Sequence, residues 1–285
     1  MQDLHIHMAA GGQDTPEVFK QKTIAGGVSG GAVFSIVPES YRVEPGVDQR
    51  WQARAEQIME FCSRAPGFRP VFFIDPTVSD AIEQVHAIAE MGIAGFKVIC
   101  NHFYPVEGVK TYQAIAETGL PLIFHSGVLY NKQPSSDYNR PMSYEFLMDV
   151  KGLRFSLAHV SWPWSAELVA LFGKLNYLDQ KAPEGRSRMY FDITPGTPPI
   201  FRRDALRWMY MCGFNMKHRV LWGTDCSSNF DPEYAKFWAD LDKKIMAEIA
   251  ADPNIYRVPG QDLYDYSDIW ELATEKNFDD FFGKK

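Results

Sequence analysis

The chain has 285 residues, 46% of them hydrophobic and 14% aromatic, enough apolar side chains for a large core. Its formal net charge of −7 argues against a nucleic-acid partner and gives no reason to expect attraction to an anionic membrane surface. No apolar run approaches the length of a bilayer span, and Cys62, Cys100, Cys212 and Cys226 lack CxxC spacing, so they read as free thiols in a reducing cytoplasm.

Strand-like and helix-like stretches alternate from the first residues onward. Asp3-Leu4-His5-Ile6-His7 reads as a strand with both imidazoles on one face, because residues two apart point the same way. Leu4 and Ile6 then face the opposite, buried side, and Asp3 shares the histidine face and could orient an imidazole. A helix is expected over Thr15–Ala25, a strand over Gly30–Val37 and a helix over Val47–Arg64, stopped by Pro66-Gly67. Arg69–Ile74 is the third strand, and Ser79 caps a helix running to Met91. Ile93–Cys100 is the fourth strand, Val109–Thr118 a helix and Leu120–His125 the fifth strand. A polar loop of about residues 126–141 leads to a helix over Ser143–Val150, strand six over Leu153–His159 and a helix over Trp164–Leu175. Arg188–Ile193 is strand seven, Asp204–Cys212 a helix and Arg219–Asp225 strand eight; the tail from about Pro232 to Lys285 reads as mostly helical.

Eight short apolar strands separated by helices form the βαβ pattern of a parallel sheet, and eight of them suggest closure into an α/β (β/α)8 TIM barrel in a single domain spanning residues 1–285. An open doubly wound sheet is the alternative. It is disfavoured because Gly26-Gly27 and Gly30-Gly31 precede strand two instead of following a strand, so no dinucleotide fingerprint is present.

A barrel gathers the C-terminal ends of its strands at one mouth. His5 and His7 end strand one, Lys97 lies in strand four, and His125, His159 and Asp225 end strands five, six and eight. One such histidine is usually a hydrogen-bonded core group; this many at strand ends, with an aspartate, point to a metal. Imidazole and carboxylate suit zinc, which lowers the pKa of water toward ~7. His86 and His218 read as structural, whereas His102, just after strand four, could line the pocket. Tyr130, Trp162, Trp164 and Phe201 fall in loops and could wall a planar or apolar substrate; Arg42, Arg140, Arg202 and Arg203 fall in loops where one could clamp a carboxylate.

DLHIH on strand one, FHSG on strand five, LAHVSWPW on strand six and LWGTDCS on strand eight resemble the amidohydrolase superfamily in order and spacing over nearly the whole chain. Ala273–Phe282 is similar to that family's terminal helix, and the lack of a flanking β-sandwich resembles the amidohydrolase 2 branch, which includes aminocarboxymuconate-semialdehyde decarboxylase. The resemblance implies that His5, His7, His125 and Asp225 bind a divalent metal, zinc foremost. His159 would either bind a second metal or act as acid, base or oxyanion stabiliser. It also implies two roles for Lys97: a carboxylated bridge between two metals, or a cation facing substrate. One ion is expected, with two as the alternative.

The function expected is a metal-dependent hydrolase acting on an amide, lactone or ester of a small molecule, with Asp225 and His159 catalytic. The substrate would be met by Lys97, His102, Tyr130, Arg140, Trp162 and Arg202. The alternatives are a lyase that decarboxylates or hydrates a small carboxylic acid, and a non-catalytic barrel used as a binding module. The partner expected is a small-molecule substrate in a homo-oligomeric, cytoplasmic protein, with no nucleic acid and no membrane.

Overall fold

The computed structural model describes residues 1–181, 186–252 and 265–283. Nine parallel strands form one sheet: β1 (Gln2–His7), β2 (Gly30–Phe34), β3 (Phe68–Phe73), β4 (Gly95–Val98), β5 (Leu122–Phe124), β6 (Arg154–Leu157), β7 (Arg188–Asp192), β8 (Val220–Leu221) and β9 (Cys226–Ser227). Strands β1 to β8 pair in sequence order, and β9 pairs with β1 through Ile6↔Cys226 and His7↔Ser227. The two short pieces β8 and β9 together are the eighth strand. Its first half pairs with β7 and its second with β1, and Leu4 N donates to Trp222 O at 3.0 Å across the seam. The fold is a TIM barrel.

The helices between strands are α1 (Pro16–Ala25), α2 (Trp51–Arg64), α3 (Ala81–Glu90), α4 (Val109–Thr118), the short α5 (Ser135–Tyr138), α6 (Ser165–Lys181), α7 (Pro199–Tyr210) and α8 (Pro232–Ala250). Each long helix buries a stripe on the strands. On α2 the stripe is Arg54, Ala55, Ile58, Phe61 and Cys62, the spacing of one helical face. Thr15 caps α1 and Asp231 caps α8, each followed by a proline at the first helical position. The tail ends in α9 (Ile269–Glu271), a π-helical turn over Leu272–Lys276 and α10 (Asn277–Phe282); the part of the expected helical tail at 253–264 and 284–285 lies outside the described residues.

Two layers of core follow. The larger lies between strands and helices. The smaller fills the lower barrel, where Leu4, Ala32, Phe34, Val71, Ile123, Tyr190 and Leu221 meet Phe278, Phe281 and Phe282 of α10. The C-terminal helix therefore plugs the end opposite the strand C-termini.

Three local details stand out. The helix expected over Ser143–Val150 is present and is of the 3-10 type, Pro141–Asp149, pinned by Tyr144, whose hydroxyl donates to His125 O at 3.0 Å. Helix α7 begins at Pro199 and not at Asp204, because a proline at the first helical turn is pre-set for helix geometry; Phe201, Arg202 and Arg203 are thus helical and not in a loop. Strand eight is broken over Trp222–Asp225, with Asp225 at φ 58°.

Candidate metal centre

The parallel strands bring His5, His7, His125, His159 and Asp225 to one cavity of about 340 Å³ at the C-terminal end of the barrel. Ligand atoms of His5, His159 and Asp225 all lie within 4.8 Å of one another. The His5 ring centroid is 5.1 Å from that of His7 and 4.9 Å from that of His159, and His125 is 4.8 Å from His159. Asp225 Oδ1 stands 3.5 Å from His5 Nε2 and 3.3 Å from His7 Nε2.

β1 delivers both imidazoles to the cavity with a departure from simple alternation. Its register with β2 shifts between Asp3 and Ile6. Leu4 consequently packs inside the barrel, whereas Ile6 packs against the helices. The shift leaves the His5 amide to the Asp3 carboxylate, which accepts it at 2.9 Å on Oδ1. The same oxygen accepts Thr224 N at 3.0 Å, and Oδ2 accepts the Thr224 hydroxyl at 2.6 Å. Asp3 thus ties the irregular β1 to the break in strand eight and touches no imidazole ring, contrary to the orienting role expected of it. Burial pushes its carboxyl up to about 7, against the opposing pull of these hydrogen bonds.

Backbone conformation at the site is unusual. His159, Val160 and Ser161 have φ of 60°, 52° and 50°, and Asp225 has 58°. Positive φ at a β-branched valine is rare, and such strain concentrates where side chains must be aimed. Two glycines make room. A Cβ at Gly223 would sit 2.6 Å from Thr194 Cγ2 and 2.9 Å from Asp3 Oδ1, and one at Gly196 would sit 2.8 Å from His159 Cβ.

The charge pattern favours a cation. Burial first, then the nearby Lys97 cation, holds His5 well below its usual pKa; burial and His159 do the same for His125, and burial lowers His159. Neutral imidazoles keep lone pairs. Burial would raise Asp225, but His159, His7 and His5 around it hold the carboxyl below the usual carboxylate range. His125 Nε2 is buried with no hydrogen-bond partner, an uncompensated acceptor or donor that a ligated ion would satisfy. The donor set, imidazole nitrogens and a carboxylate, fits zinc and related divalent ions.

Lys97 is fully buried, with Nζ 3.3 Å from His5 Nε2 and 5.0 Å from the Phe34 ring centroid. Burial brings its ammonium down to about 8, with Asp192 and Asp225 opposing. Tyr130 lines the cavity rim at 82% exposure, joined by Met8, Ile99 and Leu129.

Other expected substrate contacts lie elsewhere. His102 is outside the cavity lining, with Nε2 3.3 Å from Asp75 Oδ2 and Nδ1 2.6 Å from Asn101 Oδ1. Arg140 pairs with Glu167 and lies over the Trp164 ring at 5.6 Å. Trp162 stacks on Phe201 at 6.2 Å. Arg202 is fully buried: Nε and Nη2 bind Asp242 at 2.7 and 2.8 Å, and Nη2 also donates to Ile193 O. It is fully buried and outside the cavity lining, contrary to the substrate-binding role expected of it.

Sequence reasoning missed two features. Asp192, the last residue of β7, is fully buried, with Oδ2 3.3 Å from His5 Nδ1. The signal was present, since Asp192 ends the apolar run Met189-Tyr190-Phe191 just as His125 ends its own strand. The second is the loop after β2, which supplies Val37 and Tyr41 to the cavity; Arg42 of the same loop, a candidate by its loop position, lines it with them. Its carbonyls are gripped by buried Arg54, which donates to Ile36 O at 3.1 Å, and by Gln49, which donates to Val37 O at 2.9 Å and Arg42 O at 2.8 Å.

Residues 40–256, about three quarters of the chain, match the family described as Amidohydrolase. The chain belongs to the amidohydrolase family. This is a family of metal-dependent enzymes, and membership supports a metal-dependent hydrolase or lyase in general terms. Among solved structures, the chain is similar to a Lactobacillus casei protein proposed to be a metal-dependent hydrolase, at 13% identity and TM-score 0.59, covering 99% of this chain and 94% of that one. A Pseudomonas putida protein proposed to be a 2-pyrone-4,6-dicarboxylic acid hydrolase is 14% identical with TM-score 0.58, covering 99% and 96%. A TIM-barrel protein of Bordetella bronchiseptica is 17% identical with TM-score 0.55, covering 82% and 80%. At these identities the likeness is one of fold. No curated protein matches the chain in sequence. No helix among the described residues is long and apolar enough to cross a membrane.

Proposed function

We propose that this amidohydrolase is a hydrolase that uses a divalent metal ion, zinc foremost, to direct water at an amide, lactone or ester of a small organic substrate. The observation that carries this reading is the approach of His5, His159 and Asp225 ligand atoms to within 4.8 Å at the base of an open cavity, with His7 and His125 beside them. When bound, the ion would supply Lewis acidity and an acidified water. The chain's own residues do the remaining work. His5, His7, His125 and Asp225 hold the ion, and His159 joins them or serves the reaction directly. Asp225, in contact with both histidines of β1, accepts a proton and passes it to the leaving group. Lys97 keeps a buried positive charge next to His5 and balances the carboxylates of Asp192 and Asp225. Val37, Ile99, Val128 and Leu129, with Tyr41 and Tyr130, give an apolar and partly planar wall that fits a small organic body.

Arg42 favours a second reading. It stands on the cavity wall with its Nε and Nη2 both on Glu44, and its Nη1 suits a substrate carboxylate, as a lyase for a small carboxylic acid would require. The four free cysteines fit a cytoplasmic location, and a homo-oligomer remains the expected assembly. Elemental analysis of the purified protein tests the common premise. About one equivalent of zinc or a related ion is expected; less than about a tenth of an equivalent after reconstitution overturns it. A screen of small esters, lactones, amides and carboxylic acids, reading acid release against carbon dioxide release, separates the two reactions.

A further inference from the structure

Asp192 makes contacts on both sides of the candidate centre. Its Oδ2 faces His5 Nδ1 at 3.3 Å. Its Oδ1 accepts the backbone amides of His159 at 2.9 Å and Thr194 at 3.1 Å, and the Thr194 hydroxyl at 2.5 Å. The same Thr194 oxygen stands 2.8 Å from His159 Nδ1, and Pro195 O is 3.2 Å from that nitrogen.

Counting hydrogens decides the arrangement. A threonine hydroxyl has one proton, and here it goes to Asp192, whose Oδ1 already takes two amide donors. The Thr194 oxygen can then only accept from His159 Nδ1. Pro195 O can also only accept. His159 Nδ1 therefore carries the ring proton, and Nε2 is the lone-pair nitrogen. At His5 the preference runs the same way without being forced by counting: Nδ1 faces the Asp192 carboxylate at 3.3 Å, and Nε2 faces the Lys97 ammonium, a donor, at 3.3 Å, with the Asp225 carboxylate farther off at 3.5 Å.

We propose that Asp192 and Thr194 are positioning residues that fix the tautomers of His5 and His159, so that both rings present an Nε2 lone pair to the same point of the cavity. One β7 carboxylate thereby sets two imidazoles from different strands, and it also holds the strained His159 backbone in place. This rests on the metal-centre reading above and adds to it: a neutral His159 in this tautomer offers a lone pair, as a ligand or base does, and has no Nε2 proton to donate.

Two measurements on the full-length protein test it. In protein labelled with 15N-histidine, long-range 15N–1H correlation distinguishes Nδ1–H from Nε2–H rings. His5 and His159 are both expected as Nδ1–H, before and after zinc is added. Zinc affinity is then measured by competition with a chromophoric chelator. Asp192→Asn places an amide donor opposite His5 Nδ1 and is expected to weaken zinc binding about 10- to 100-fold. Thr194→Val, a milder change in shape, is expected to release the His159 tautomer alone and weaken zinc about 10-fold, and Thr194→Ser to restore both signals. An Nε2–H signal from His159 in the unaltered protein overturns the proposal, as does unchanged zinc affinity in both Asp192→Asn and Thr194→Val. If the unaltered protein takes up no zinc, the metal reading fails, while the ring spectra still decide the tautomers.

Discussion

Asp225 and Arg202 show how differently two charged residues in this barrel are used. Asp225 sits at positive φ in the break of strand eight, its Oδ1 shared between His5 and His7. Asp225→Asn keeps the shape and removes the charge and most of the basicity. Turnover on whichever substrate the screen identifies is expected to fall at least ~10²-fold, with zinc content reduced less than in His5→Ala. Unchanged turnover would remove Asp225 from the chemistry. Arg202, by contrast, is a structural cation. It is fully buried against Asp242 and ties α7 to α8. Asp242→Ala strands that guanidinium in the interior and is expected to cost roughly 3–5 kcal/mol in urea unfolding, whereas Arg202→Met with Asp242→Leu recovers most of the loss. If the single and double variants unfold at the same urea midpoint, the pair is not holding the helices. The contrast also shows what one sequence can reveal. His5, His7, His125, His159 and Asp225 are legible because each ends an apolar run, although β1 reaches the cavity through a register shift that the strand period does not show. Arg202 is hidden from a reading of sequence alone, because Pro198-Pro199 has the composition of a loop and is a helix start. Asp192 ends its apolar run in the same way, but its pairing with His5, 187 positions away, is something no local pattern shows.

At the scale of elements, strand order and helix placement follow the apolar runs closely, and the departures in β1 and strand eight serve the mouth of the barrel. The β1 register shift and the break between β8 and β9 depend on tertiary partners, Asp3 with Thr224, 221 positions apart, that no local pattern announces. Helix α10 is a similar case. Its sequence is similar to the family's terminal helix, but its place inside the lower barrel depends on Tyr190 and on Arg69, whose guanidinium lies 5.2 Å from the rings of both Phe278 and Phe282. Phe281 is completely buried there, 5.1 Å from the Tyr190 ring. Phe281→Ala is expected to destabilise the protein by roughly 3–5 kcal/mol, with the urea m-value unchanged, because the barrel floor is too close-packed to collapse around the void. A loss under about 1 kcal/mol would mean that the plug is peripheral to the core.

For the whole molecule, the main consequence is that the candidate ligands are spread over the entire ring of strands. His5 and His7 come from β1, His125 follows β5, His159 follows β6 and Asp225 lies between β8 and β9. An ion held by them closes contacts between residues up to 220 positions apart and is absent from the unfolded chain in that geometry. Binding should therefore stabilise the fold as a unit, by about 2.7 kcal/mol at a free concentration a hundred times the dissociation constant. For a barrel of this size each 1 kcal/mol corresponds to roughly 2–4 °C or less in melting temperature, so zinc at that excess should raise the transition by several degrees. The increment should grow with the logarithm of zinc concentration. His125→Ala separates a ligand from a neighbour: its Nε2 is buried without a partner, so losing it costs no protein hydrogen bond at that atom. The variant should keep a cooperative melt in chelator and lose much of the zinc-dependent rise. A full zinc-dependent rise in His125→Ala would place His125 outside the ligand set. The absence of any rise in the unaltered protein with zinc, cobalt or manganese would sink the metal centre itself.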